Sequence, residues 1–558
     1  MSDYTQHKRL KRTVAVSAAL ATATALVCLV DVGPAGATSG TRTGPTVSWQ
    51  PCPYYSDDVL RFRGIPDDQL PAYRALLDRM DCGTVTVPLD YAQPAGPTIT
   101  VALTRLRAVD QRHRLGVLAL NPGGPGGSGY LMPADVLTTN AVDARLNQRY
   151  DLIGFDPRGV GYSTKFDCPP PDGPPPVQGP LVGPLTQAQA KAIFDANAAQ
   201  NAACGNANPA FLRSLTTLNV ARDLDRIRAA LGEQRLNYLG VSWGTWLGEV
   251  YHTQFADHVG RMFLDSVAPP HFSLDTFDAL RADGAERDFN RMAAWMAQHN
   301  DVYGFGTTAA QVRAAVIALV AQFDAGPKTF SDLDTPPLDG TVIAISGSQP
   351  SPGWPVGAEV LKELRDSYTS PTAPPTVKLV LGGGGPRPTP PPGVPEEQNR
   401  TMGQAAFCNE DPSRSDFATA WANYQAMLSR DPATGRAAQF DPGCAGWPLP
   451  AQVYQVHRTP ASVVLAGHLY ESVSVYQWTP QAQAAIGGTV FTVADDVHGS
   501  VLRVPACAAQ ALSYLDTGLI GRGCPGVPVP DSTEVPIPGP SAQPLNQLAD
   551  SLAGSWRV

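Results

Sequence analysis

No cysteine stands in the Cys-x-x-Cys or Cys-x-x-His spacing that a zinc site uses. Nothing in the sequence therefore calls for a metal or another cofactor. No Gly-X-Y period runs through the 52 glycines and 54 prolines, which excludes a collagen-like chain. Positive charge is short: 41 Lys and Arg stand against 50 Asp and Glu, a net charge of −9. A general nucleic-acid surface is therefore excluded as a partner. No internal repeat is present. After residue 30 no apolar run is long enough for a membrane-spanning helix. What is there is a hydrophobic fraction of 43%, enough for a core and too much for a disordered chain. Glycine and proline make up about a fifth of 558 residues, which predicts many turns and long loops. The length fits one large elaborated domain or two to three smaller ones.

The first 37 residues read as an export leader. Lys8, Arg9, Lys11 and Arg12 precede an uncharged, Ala-rich stretch over residues 13–30, and Ala35-Gly36-Ala37 offers a cleavage site. The mature chain is then expected outside the cell, or at its surface if the leader stays attached. Cys28 lies inside the leader. Cys52, Cys82, Cys168, Cys204, Cys408, Cys444, Cys507 and Cys524 remain, an even number that fits disulfides in an oxidising compartment. Pairing in sequence order is the simplest arrangement, because each successive pair flanks a local segment.

Short apolar runs over residues 98–106, 115–121, 150–155, 236–241, 261–267, 462–466 and 489–493 read as strands. Helical spacing alternates with them over 188–203, 219–231 and 245–255. This alternation predicts an α/β fold with a mostly parallel sheet. Residues 271–325 and 416–428 read as helical, with Phe289, Met292, Met296, Val312, Val316, Ile317 and Val320 as a core stripe. Residues 38–80 read as irregular, and 327–395 as loop-rich, with a Pro-rich linker at 386–395. The expected partition is a leader (1–37), the first part of the α/β domain (38–270), a helical cap (271–455), the rest of the α/β domain (456–530) and a tail (531–558).

The chemistry concentrates in Gly240-Val-Ser242-Trp-Gly244, between a predicted strand and a predicted helix. Gly-x-Ser-x-Gly in that context is a nucleophile elbow, with small residues at −2 and +2 letting the backbone turn sharply. Ser242 is the candidate nucleophile. The Trp243 amide is one oxyanion donor, and the glycine loop after an earlier strand supplies the other, Gly124 first and Gly123 next. His498, after the last apolar strand, is the candidate base, ahead of His457 and His468. The acid that orients it stays open: Glu471 leads, Asp265 is the alternative, and Asp495 and Asp496 stand nearby. Glu410 and Asp411 beside Cys408 are candidates for holding a substrate ammonium.

The segments NPGGPGGSG (121–129), DLIGFDPRGVGYST (151–164), LNYLGVSWGTWLG (236–248) and VGRMFLDSV (259–267) resemble the secreted tripeptidyl-aminopeptidase-like α/β-hydrolases of bacteria. These belong with the prolyl-iminopeptidase-type serine peptidases. CGTVTVPLDY (82–91) resembles their N-terminal segment, and the block around His498, Cys507 and Cys524 their TAP-like C-terminal domain. The resemblance implies an α/β-hydrolase fold with a helical cap and release of short peptides from free N-termini. One departure stands out. The family's Gly-x-x-Asp-x-x-Thr-Pro places its Asp on Tyr470 and its Thr-Pro on Val473 and Ser474, so the acid shifts to Glu471 or is lost. Three functions follow: a serine exopeptidase, a carboxylesterase or lipase acting on small acyl substrates, or a weakly catalytic binding protein on the same scaffold.

Overall fold

Alternating apolar runs and helical stretches resolve into a single sheet flanked by helices. The computed structural model describes residues 44–170, 181–382 and 389–535, so the expected leader and most of the expected tail lie outside the described residues. Ten strands occur among them: β1 (Ser48–Gln50), β2 (Met80–Pro88), β3 (Thr98–Leu106), β4 (Gly116–Asn121), β5 (Tyr150–Phe155), β6 (Leu236–Val241), β7 (Val259–Asp265), β8 (Ser462–His468), β9 (Thr489–Val493) and β10 (Gly523–Cys524). Their order across the sheet is β1-β2-β3-β5-β4-β6-β7-β8-β9-β10. The first three strands and β5 pair antiparallel, and every pairing from β5 through β4 to β10 is parallel. The central strands are apolar on both faces because helices cover both sides.

The topology fixes where chemistry can sit. From β4 the chain steps outward to β5, then crosses back over β4 to β6. The connections therefore diverge between β4 and β6 and leave a crevice at their C-terminal ends. Asn121, the last residue of β4, is in register with Gly240 near the end of β6. The glycine loop and Ser242 thus leave the sheet side by side.

Between β7 and β8 the chain builds a helical cap. Its helices include Leu274–Gln298, Ala309–Ala325, Gly340–Gly347, Trp354–Asp366, Pro375–Gly382, Arg400–Glu410 and Phe417–Arg430. Phe289, Met292, Met296, Val312, Val316 and Val320 from the expected stripe are buried in a core of the cap's own, with Ile317 at its margin. Phe323, Trp354 and Leu361 complete it. Each such side chain contributes about 1.5–3 kcal/mol by leaving water.

Two expectations are corrected. The stretch at 38–80 holds β1 and the helices Asp57–Phe62 and Leu70–Leu77. The first of these starts where the Ser56 side chain accepts from the Val59 amide, and both are too short to show a helical period. The stretch at 327–395 holds three further helices. Gly340–Gly347 is buried on every side, so it has no polar face to produce a period; the Asp339 side chain caps it at the Thr341 amide. The cysteines pair as Cys52–Cys82, Cys168–Cys204, Cys408–Cys444 and Cys507–Cys524. Each bridge closes a local loop of 17 to 36 residues, contributing about 3 kcal/mol through unfolded-chain entropy. Among the described residues no helix is long and apolar enough to cross a membrane.

Candidate active site

Ser242 lies between β6 and the helix Trp243–Gln254, with φ 59° and ψ −125°. That backbone region is almost closed to residues with a side chain, and strain of this kind concentrates at functional sites. Flanking glycines make the turn sterically feasible. A Cβ on Gly240 would lie 2.5 Å from the Gly244 carbonyl oxygen, and one on Gly244 would lie 2.7 Å from Asn121 Oδ1. The serine side chain stands at the helix N-terminus, where free amides and the helix dipole favour negative charge.

The glycine loop meets it from the β4 side. A Cβ on Gly123 would lie 2.6 Å from the Val241 carbonyl oxygen and 2.8 Å from Ser242 Cβ, so the loop touches the serine. The Gly123 amide is already used: it donates to Asn121 Oδ1 at 3.0 Å. Among the described residues the Gly124 amide has no acceptor. The cap pins this loop from above. Gln398 Nε2 donates to the Pro125 carbonyl at 2.6 Å, and the Ser128 and Asn399 amides pair with the Glu397 and Gly126 carbonyls. These roles of Gln398 and Asn399 are not legible in the sequence, because the partners lie far apart in the chain. Gly123→Ala, at φ +103°, is expected to displace the loop from Ser242. Loss of one aligned oxyanion donor would lower kcat by about 10²–10³, read with an aryl ester on protein whose circular dichroism is unchanged.

His498 follows β9, and its loop packs against the residue before the serine. A Cβ on Gly499 would lie 2.7 Å from Val241 Cγ1, the residue before Ser242. His498 Nδ1 is hydrogen-bonded to Glu471 Oε1, and the Glu471 side chain is wholly buried. The Ser474 amide also donates to Glu471 Oε1, at 2.7 Å, and Ser266 Oγ donates to Oε2 at 2.9 Å. Ser266 Oγ in turn accepts from the Gly499 amide at 2.8 Å, so one hydroxyl couples the acid and the histidine loop. Ser266 has φ 58°, a second strained residue at a strand end. Burial alone would raise the Glu471 pKa; the charge and hydrogen bond of His498, with help from His468 and the Ser474 amide, bring it below the usual carboxylate range.

The other carboxylates considered for this position have other partners. Asp265 Oδ1 lies 2.8 Å from His468 Nε2, and Asp495 Oδ1 lies 2.6 Å from His468 Nδ1. Asp496 pairs with Arg291 of the cap at 2.6 Å and with Ser351 Oγ at 2.7 Å. Glu410 and Asp411 are corrected as ammonium ligands. Glu410 is buried, accepts from Thr217 and from Trp246 Nε1 at 2.9 Å, and has a pKa raised by burial. Asp411 caps the Leu274 amide at 3.0 Å and accepts from Ser413 Oγ at 2.6 Å. Tyr470, on which the family's Asp would fall, lies with its ring 3.9 Å from the Arg291 guanidinium carbon.

A parallel sheet with its switch point between β4 and β6, and a strained serine at that point, define an α/β-hydrolase fold. Residues 116–315 match the family model described as alpha/beta hydrolase fold. Within this class the chain is similar to the tripeptidyl aminopeptidase of Streptomyces coelicolor, 44% identical over 239 residues, 42% of this chain and 44% of that one. It is also similar to the serine protease Hip1 of Mycobacterium tuberculosis, 33% identical over 294 residues, 51% of this chain and 52% of that one. A third relative, carboxylesterase B of Mycobacterium tuberculosis, is 28% identical over 505 residues, 86% of this chain and 89% of that one. The match thus spans about half or less of the length of the first two relatives.

Proposed function

We propose that the chain is an exported serine hydrolase, an exopeptidase that releases short peptides from free N-termini through an acyl-enzyme on Ser242. The observation that carries this reading is the strained Ser242, with the glycine loop against it and the Glu471–His498 pair served by a loop that packs on neighbouring Val241. His498 takes the Ser242 proton as Oγ attacks the acyl carbonyl. The oxyanion rests on the Trp243 and Gly124 amides. Glu471 holds the imidazolium that forms, His498 protonates the departing amine, and water then hydrolyses the acyl-enzyme. The four disulfides and the leader sequence support export.

For the substrate ammonium we infer Asp278. It is a solvent-accessible residue on the cap helix Leu274–Gln298, next to Phe277, whose ring stacks on Trp478 at 5.1 Å. On the same helix Gly284 packs against Ser472 and Val475, just after Glu471, and six residues of helix set Asp278 about 9 Å from there. Asp278→Asn is expected to raise KM about tenfold for peptide amides with a free N-terminus and to leave KM for their N-acylated counterparts in place.

The esterase reading is kept because the similarity to carboxylesterase B extends over 86% of this chain. A panel of aminoacyl, dipeptidyl and tripeptidyl aryl-amides beside aryl esters separates the two. Higher kcat/KM on free-N-terminus peptide amides supports the exopeptidase. Turnover of esters alone overturns it. No turnover of either, with no fluorophosphonate adduct on Ser242, favours the binding protein.

A further inference from the structure

Behind the reacting groups lies a second histidine that the acyl-transfer steps do not use. His468 is the last residue of β8 and is wholly buried. Its Nδ1 lies 2.6 Å from Asp495 Oδ1 and its Nε2 lies 2.8 Å from Asp265 Oδ1. A neutral imidazole carries one ring N–H, and a carboxylate only accepts. Two such contacts are both satisfied only when the ring is an imidazolium. The outer carboxylate oxygens are held as well. Asp495 Oδ2 accepts from Ser500 Oγ at 2.6 Å and the Val527 amide at 2.8 Å, and Asp265 Oδ2 from the Val501 amide at 3.2 Å.

This cluster ties together the turns that follow β7, β8 and β9. Asp265 precedes Ser266, which bonds Glu471 and the Gly499 amide. His468 stands three residues before Glu471, and Asp495 three before His498. Every member is therefore within three residues of His498 or of a group that orders its ring. Glu471 also needs a compensating charge, because an ionised carboxylate with no exposed surface is costly unless cations and donors surround it.

We propose that His468 is the positioning residue of this site: as an imidazolium it locks the three turns and keeps the buried Glu471 ionised for His498. The proposal rests on reading Ser242, His498 and Glu471 as an acyl-transfer triad. The charged groups facing His468 are Asp265, Asp495 and Glu471, and together they outweigh burial and bring its pKa up to about 10. Those facing His498 are Glu471 and Arg503, whose guanidinium donates to the His498 carbonyl; Asp496 nearby is paired with cap Arg291.

The test is the rate of phosphonylation of Ser242 by a fluorophosphonate as a function of pH, on the full mature chain. His468→Gln removes the cation. Losing it raises the pKa of Glu471, which moves the acid limb to higher pH. The expected result is a plateau about a hundredfold lower and an acid limb higher by about one pH unit. His468→Gln strands two buried carboxylates, so His468→Gln/Asp495→Asn, which keeps the cluster's net charge, is carried through the same profile. An acid limb that stays in place in folded His468→Gln overturns the proposal, even if the plateau falls. On the parent, ¹⁵N spectra of the histidine rings should show both His468 nitrogens protonated at pH 8; a single protonated nitrogen overturns it independently of the variants. Failure of the parent to label at Ser242 at any pH instead sinks the triad reading.

Discussion

Ser242→Ala is expected to lower kcat by a factor on the order of a million and to abolish reaction with a fluorophosphonate. No second nucleophile stands at the elbow. Every step proposed above passes through Ser242 Oγ, and the groups around it act only on that atom or on the oxyanion it creates. Substrate binding should survive, because the cap and the glycine loop are unchanged. The serine also sits at φ 59°, where glycine meets no steric penalty. Ser242→Gly should therefore be as inactive as the alanine variant but more stable, by about 1–2 kcal/mol, since it releases the backbone strain. Thermal melts of the three proteins check this. An alanine variant retaining more than a thousandth of parental kcat would place the nucleophile elsewhere.

Glu471→Gln should have the second largest effect. Three donors converge on the carboxylate: the His498 ring, the Ser474 amide and the Ser266 hydroxyl. A glutamine offers one acceptor oxygen and turns an N–H toward the rest. Either His498 adopts the wrong tautomer or a buried donor is left facing another donor. Loss of about four orders of magnitude in kcat is expected, with KM little changed. The variant also changes stability with pH. The Glu471 pKa is depressed in the fold, so its contribution is present above its unfolded value and is lost as pH falls through the folded one. Acidification should destabilise the parent more steeply than Glu471→Gln, as chemical denaturation at several pH values would show.

Much of this site could be read locally. The elbow declares itself because its glycines are demanded by contacts within a few residues and by Asn121 on the adjacent strand. The strands β4 to β8 declare themselves because both faces are buried over most of their length. Other features depend on contacts that cross the chain. Glu410 beside Cys408 reads as a candidate for a substrate ammonium, yet its partners Thr217 and Trp246 lie 193 and 164 residues away. Asp265 and Glu471 were both plausible partners for His498, since both follow strands in the right half of the sheet. Only three strand ends brought side by side assign Asp265 to His468. The cap helix Gly340–Gly347 was illegible for a simpler reason: without a solvent face it carries no helical period.

The central claim is that Ser242 is activated by a His498–Glu471 pair to attack an acyl carbonyl. Its most direct test is mass-spectrometric mapping of the adduct after fluorophosphonate treatment, on the parent and on Glu471→Gln. The account predicts one adduct per chain, on the peptide containing Ser242, forming at least a thousandfold more slowly in the variant. An adduct on another residue, or one forming equally fast without the carboxylate, would contradict it.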